Sequence, residues 1–238
     1  MPCRHREGGL GDPALCTAHA LDQTPWPESV SRLSETREPA ADRVVQDPLR
    51  GECFARATRA DTQVLAGNAT IGREILEDLP DVAAVLVPFG GGGLSVGIAA
   101  GIHASVPGAR IYACETEAGT PVAAAFAAGR PVRVDFDPST FITGMGSSVV
   151  LAPMWPLIRA QLAGTRCSTC EQVARAIKLL LLEHHVVAEG AGAASVAAAL
   201  EESEPSGPTV CIVSGGHLDL KDLADILEDR MPRRLAGR

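Results

Sequence analysis

Three observations predict an α/β domain built on a parallel sheet in three layers. Short, valine-rich apolar runs alternate with helical stripes from residue 61 onward. The runs are continuously apolar rather than alternating, as strands are when both faces are covered. One of them, residues 82–87, leads through Pro88 and Phe89 into Gly90, Gly91, Gly92 and Gly93, directly before a small-residue helix.

The elements follow in order. Residues 70–79 place Ile71, Ile75 and Leu79 at helical spacing, and Pro80 ends the run. Residues 82–87 read as a buried strand and 94–105 as a helix. Pro107 and Gly108 make a turn into a second strand at 109–114. An alanine-rich helix is expected over 120–128, closed by Gly129, and another over 153–162 with Trp155 and Leu162 as core candidates. Residues 171–184 put Val173, Ile177, Leu180, Leu181 and His184 on one helical face. Residues 191–201 read as a buried helix and 209–213 as a third strand. Ser214 to His217 form a tight loop, and 219–230 a terminal helix with Asp219 at its N-cap.

Residues 1–60 differ in character. They are rich in Arg, Pro, Asp, Glu and Thr, and Pro13, Pro25, Pro27, Pro39 and Pro48 interrupt any long helix. The segment reads as irregular or disordered, with at most a short helix around residues 30–36. It is either a genuine segment or one translated out of frame. The chain thus divides into an N-terminal segment at 1–60, an α/β domain at 61–230 and a tail at 231–238.

Composition narrows the partners. Apolar residues make up 46% of the chain, enough for a sizeable core. A net charge of -8 argues against a nucleic-acid footprint. No apolar run approaches the ~20 residues of a membrane helix, so no membrane association is expected. The first residues are charged and lack the apolar stretch of a signal peptide, so the expected compartment is cytoplasmic. Seven scattered cysteines read as reduced thiols. Cys167 and Cys170 form a CxxC without a second pair at zinc-ribbon spacing, and read as two unrelated thiols at a strand-to-helix turn.

Four consecutive glycines need a physical reason, because each adds to the entropy lost on folding. A helix N-terminus offers unpaired N–H groups and the positive end of a dipole. Removing every Cβ lets several N–H groups converge on one anion, and phosphate is the natural ligand. A Walker A loop would need Gly-Lys-Ser/Thr, but Leu94 follows Gly93. The dinucleotide fingerprint also fails, because Ser95 or Val96 stands where its third glycine belongs.

The stretch from Val85 through the four glycines to Ala99 resembles the phosphate loop of fold-type-II pyridoxal-phosphate enzymes, nearest in pattern to threonine/serine dehydratases and serine racemases. Further blocks agree in order: Leu65 to Ile71 with the family's helix start upstream of the loop, and Ile111 to Glu115 with its strand ending in glutamate. Val187 to Ala193 resembles its Glu-Gly-Ala-Gly-Ala block, and Ile212 to Asp219 its Ser-Gly-Gly-Asn loop. The resemblance covers about residues 61–230. It implies an incomplete domain of the tryptophan synthase β-like kind. It also implies a site for pyridoxal 5'-phosphate in which the backbone of Gly90, Gly91, Gly92 and Gly93, with Leu94, holds the phosphate. Ser214 would face the ring nitrogen and Glu189 would lie at the ring side. The implied reaction is β-elimination from an amino acid of the serine/threonine class, giving a 2-oxo acid and ammonia.

The chain departs from the family where its catalytic lysine would be. No block like the family's Ser-Phe-Lys-x-Arg-Gly-Ala occurs, and the substrate-carboxylate loop is missing too. The only lysines are Lys178, within an amphipathic helix, and Lys221, opening the last one. Neither matches a desolvated Schiff-base lysine, so no catalytic residue is assigned. His217 stands where the family has asparagine. Some relatives bind a divalent cation through a glutamate and nearby acids. Glu115 matches the first ligand, but Gly119 and Pro121 stand where others belong, and no metal site is expected. The chain reads as a truncated dehydratase-like protein, active or inactive alone, or as a non-catalytic cofactor- or phosphate-binding remnant that associates with a complete relative. An exposed sheet edge would also favour a homo-oligomer.

Overall fold

The computed structural model describes residues 62–202 and 207–232. The expectations for segment 1–60 and for residues 233–238 of the tail lie outside the described residues.

The chain enters on α1 (Thr62–Asp78), eight residues earlier than the apolar stripe predicts. Its buried face is Leu65, Ala66, Ala69 and Gly72, while Ile71 and Ile75 pack at the margin of the core. Apart from Leu65 that face is alanine and glycine, so the sequence carries little periodic signal there. The small residues serve a close approach to α2 (Gly93–His103): a Cβ on Gly101 would stand 2.3 Å from the Ala69 carbonyl oxygen.

Among the described residues four parallel strands form the sheet: β1 (Ala84–Pro88), β2 (Arg110–Thr116), β3 (Gly164–Ser168) and β4 (Thr209–Cys211), in the order β3-β2-β1-β4. The strand β3 adds to the three that hydropathy indicates. Its sequence, Gly-Thr-Arg-Cys-Ser, has no apolar run, because it is an edge strand paired on one side only. Strand β4 is shorter than 209–213, although the Ile212 N–H still donates to Leu86 O at 3.0 Å.

Alternate residues of the central strands feed two cores. Val85, Val87, Ile111 and Ala113 face one layer with Leu65, Ile98, Ile102, Val122 and Ile158. That layer holds α1, α2, α3 (Pro121–Ala128) and α4 (Trp155–Gln161). Ala84, Leu86, Tyr112 and Cys114 face the other layer, with α5 (Cys170–His184), α6 (Gly190–Leu200) and α7 (Leu220–Leu227). The three-layer α/β architecture is therefore the one the sequence predicts. Asp219 caps α7 as expected, its carboxylate accepting the Lys221 N–H at 2.8 Å.

Candidate cofactor site

Strand order decides where a site can form. From β1 the chain adds β2 and then β3 on one side, and afterwards crosses to place β4 on the other side of β1. The order thus reverses between β1 and β4. Open α/β sheets leave a crevice at such a point, beyond the carboxyl ends of the strands. The 90–93 loop leaves β1 there. Cys211 of β4 pairs with Leu86 of β1, and Ser214 follows in the loop beyond the carboxyl end of β4, as Gly90 does beyond that of β1.

The glycine loop is shaped by its own sequence. Gly92 is the N-cap of α2, with a left-handed φ of 91° and no side-chain cap. A residue with a Cβ would be strained there and would also press on Phe89 and Ile158, each 3.1 Å from the Cβ position. The first α2 backbone bond runs from Val96 N–H to Gly92 O at 3.0 Å, and Ser95 Oγ donates to the same carbonyl at 3.1 Å. The N–H groups of Gly90, Gly91, Gly92 and Gly93 precede that bond and stand at the positive end of the helix. The side chain of Leu94 packs into the core below, which leaves its backbone in the first turn. Glycine-only backbone at a helix start, free of Cβ atoms, fits a phosphate.

A segment that sequence reading did not single out closes this loop. The Gly146 N–H donates to Phe89 O at 3.2 Å, and Gly144 O lies 3.6 Å from where a Cβ on Gly90 would stand. Gly144 and Gly146 both adopt left-handed φ, 82° and 91°. The Gly-Met-Gly triplet at 144–146 was the signal available for it.

Glu189 is the N-cap of α6 without a side-chain capping bond, and its carboxylate lies against Gly144 and Gly215. Ser214 is exposed at the same edge. His217 is exposed and lines an open depression with Thr143, Leu218, Asp219 and Leu220.

Other candidates lie elsewhere. Lys178 on α5 pairs with Asp229 at 2.6 Å. Lys221 is exposed in the first turn of α7. Glu115 is 2% exposed, and its two carboxylate oxygens accept the N–H groups of Val122 and Ala123. Among the described residues no group of three metal-ligating side chains assembles. Burial, then acidic neighbours that include Glu117, pushes the Cys167 and Cys170 thiols up, the opposite of a reactive thiolate. Cys170 opens α5 and is a free thiol, as are Cys114, Cys167 and Cys211.

Comparison with known proteins agrees with this fold. Residues 28–215 match the family described as pyridoxal-phosphate dependent enzyme, a match that begins upstream of residue 61. An L-threonine ammonia-lyase of Geobacter sulfurreducens is 35% identical over 219 residues, covering 85% of this chain and 54% of the relative. A human serine racemase is 31% identical over 191 residues, covering 78% of this chain and 55% of the relative. The chain thus spans about half the length of these curated relatives. Among solved structures, a threonine deaminase from T.th. superposes with a TM-score of 0.63 at 30% identity, covering 68% of this chain and 59% of that one. A tomato (Solanum lycopersicum) threonine deaminase reaches a TM-score of 0.65 at 27% identity, covering 71% of this chain and 50% of that one. With the family match spanning most of its length and the same parallel-sheet fold in these neighbours, the chain belongs to the fold-type-II pyridoxal-phosphate-dependent enzymes of the threonine/serine dehydratase type.

Proposed function

We propose that Gly90, Gly91, Gly92 and Gly93, with Leu94, hold the phosphate of pyridoxal 5'-phosphate, with Ser214 facing the ring nitrogen and Glu189 beside the ring. The observation that carries this reading is the Cβ-free start of α2 at the β1/β4 switch point, with Ser214 in the loop that follows β4. Bound there, the cofactor supplies an electron sink for removal of an α-proton from an amino acid. The residues of this chain bind and orient it. Backbone N–H groups of the loop neutralise the phosphate, and the Ser214 hydroxyl offers the ring nitrogen a neutral partner. The 144–146 segment closes the loop from the far side.

The activity proposed for the whole protein is β-elimination from serine or threonine, giving a 2-oxo acid and ammonia, in the cytoplasm and as a homo-oligomer. Among the described residues no helix is long and apolar enough to cross a membrane. A second reading, cofactor or phosphate binding without catalysis, is favoured by the placement of Lys178 in an ion pair on α5 and of Lys221 on an exposed turn.

Titration of the purified chain with pyridoxal 5'-phosphate, followed by thermal shift, tests the binding site. Saturable stabilisation is expected, and its absence overturns the reading. Borohydride treatment with peptide mapping, together with ammonia release from L-serine and L-threonine, separates the two activities. A pyridoxyl group fixed on Lys178 or Lys221 with turnover supports catalysis by this chain. Binding without either supports the second reading.

A further inference from the structure

Glu189 has the extended angles of an N-cap, φ -77° and ψ 172°, yet its side chain accepts no N–H of the α6 first turn. The carboxylate lies instead against the loop after β4. A Cβ on Gly215 would stand 2.4 Å from Glu189 Oε1 and 3.0 Å from Cδ, closer than any real contact of that kind. The Gly144 Cβ position is 2.9 Å from the same oxygen. The backbone ties the same residues together, for the Glu189 N–H donates to Gly215 O at 3.0 Å. Gly144 also needs glycine for its φ of 82°. Gly215 is not among the left-handed glycines, and the three atoms nearest its Cβ position all belong to the Glu189 side chain. What a Cβ at Gly215 would meet first is therefore the Glu189 carboxylate.

We propose that Gly215 is a positioning residue for Glu189. The place of its missing Cβ is the seat of the carboxylate. Seated there, the carboxylate is held off the N–H groups of α6 that would otherwise bind it, and stays at the β1/β4 edge beside Ser214. It remains available to accept a hydrogen bond from a ring-side donor of a bound pyridoxal-type cofactor. This last step rests on the reading of the glycine loop as a cofactor site.

The experiment is a double-mutant cycle on the full chain. Gly215→Ala is expected to lower Tm by about 3 °C in the native background, and by less than about 1 °C in a Glu189→Ala background. Gly108→Ala, whose added Cβ meets open space, serves as the neutral control. An equal loss in both backgrounds overturns the proposal. Should Gly215→Ala fail to fold, recovery of folding by Glu189→Ala supports the seat and continued failure overturns it. Pyridoxal 5'-phosphate affinity gives the second arm. Gly215→Ala and Glu189→Gln are each expected to weaken binding about tenfold, and the double variant no further. Multiplicative losses, about a hundredfold together, overturn the positioning role. If the native chain takes up no cofactor, the cofactor reading falls, while the thermal cycle still decides the seat.

Discussion

The carboxylate of Glu115 accepts the Val122 N–H at 2.7 Å, and its second oxygen accepts the Ala123 N–H at 2.9 Å. A side chain at the carboxyl end of β2 thus closes the N-terminus of α3, which lacks a side-chain cap of its own. Both oxygens of this buried glutamate are thus engaged at a helix start.

Burial raises the Glu115 carboxyl from an ordinary 4.5 to about 7, against the pull of the two N–H bonds. Between those values the folded chain keeps a proton that the unfolded chain has lost, so stability falls as pH rises from about 4.5 through about 7. Urea unfolding is expected to give a stability lower by about 1–3 kcal/mol at pH 8 than at pH 5 from this group. Glu115→Gln, with no proton to lose, is expected to flatten that dependence. An unchanged slope in the variant would show that the dependence arises elsewhere.

Gly92→Ala forces a side chain into a left-handed angle against Phe89 and Ile158. A stability loss of about 1–3 kcal/mol is expected, together with weaker binding of pyridoxal 5'-phosphate. Denaturant midpoints and a cofactor titration check both; wild-type values in each would remove the loop from the site.

Helix α5 begins with a complete capping box, in which Thr169 accepts the Gln172 N–H at 3.1 Å and Gln172 accepts the Thr169 N–H at 2.7 Å. Thr169→Ala is expected to cost about 1 kcal/mol in chemical unfolding without altering cofactor affinity. A change in affinity would reveal a coupling between α5 and the loop that the geometry does not contain.

Lys178→Met removes a surface ion pair with an Asp229 side chain that is 82% exposed. The expected stability change is within about 1 kcal/mol, with cofactor affinity unchanged. Loss of binding would place Lys178 in the cofactor site and contradict its position on α5.

Legibility followed the kind of signal each element carries. Residues 82–87 announced β1, observed at Ala84–Pro88, because valines in a central strand are buried on both faces. Strand β3 stayed hidden, since an edge strand of Gly164, Thr165, Arg166, Cys167 and Ser168 needs no apolar run. Arg166 even stacks 3.8 Å over the Tyr112 ring and pairs with Glu202 instead of burying an apolar side chain. The first half of α1 was hidden for a related reason, its contact with α2 being made by alanine and glycine. Gly90 to Gly93 could be read because a run of glycine has few other uses. The roles of Gly144 and Gly215 could not, because they depend on where the Glu189 side chain lies, a contact between distant segments.

Phe89 is tied through both of its backbone groups, its N–H to Cys114 O at 2.9 Å and its carbonyl to Gly146 N–H at 3.2 Å. The residue just ahead of the glycines is anchored to the sheet and to the opposing segment before any ligand arrives. If the loop takes the proposed phosphate, the Phe89 end of the receptor has its shape before the ligand arrives, and less chain entropy would remain to be lost on association.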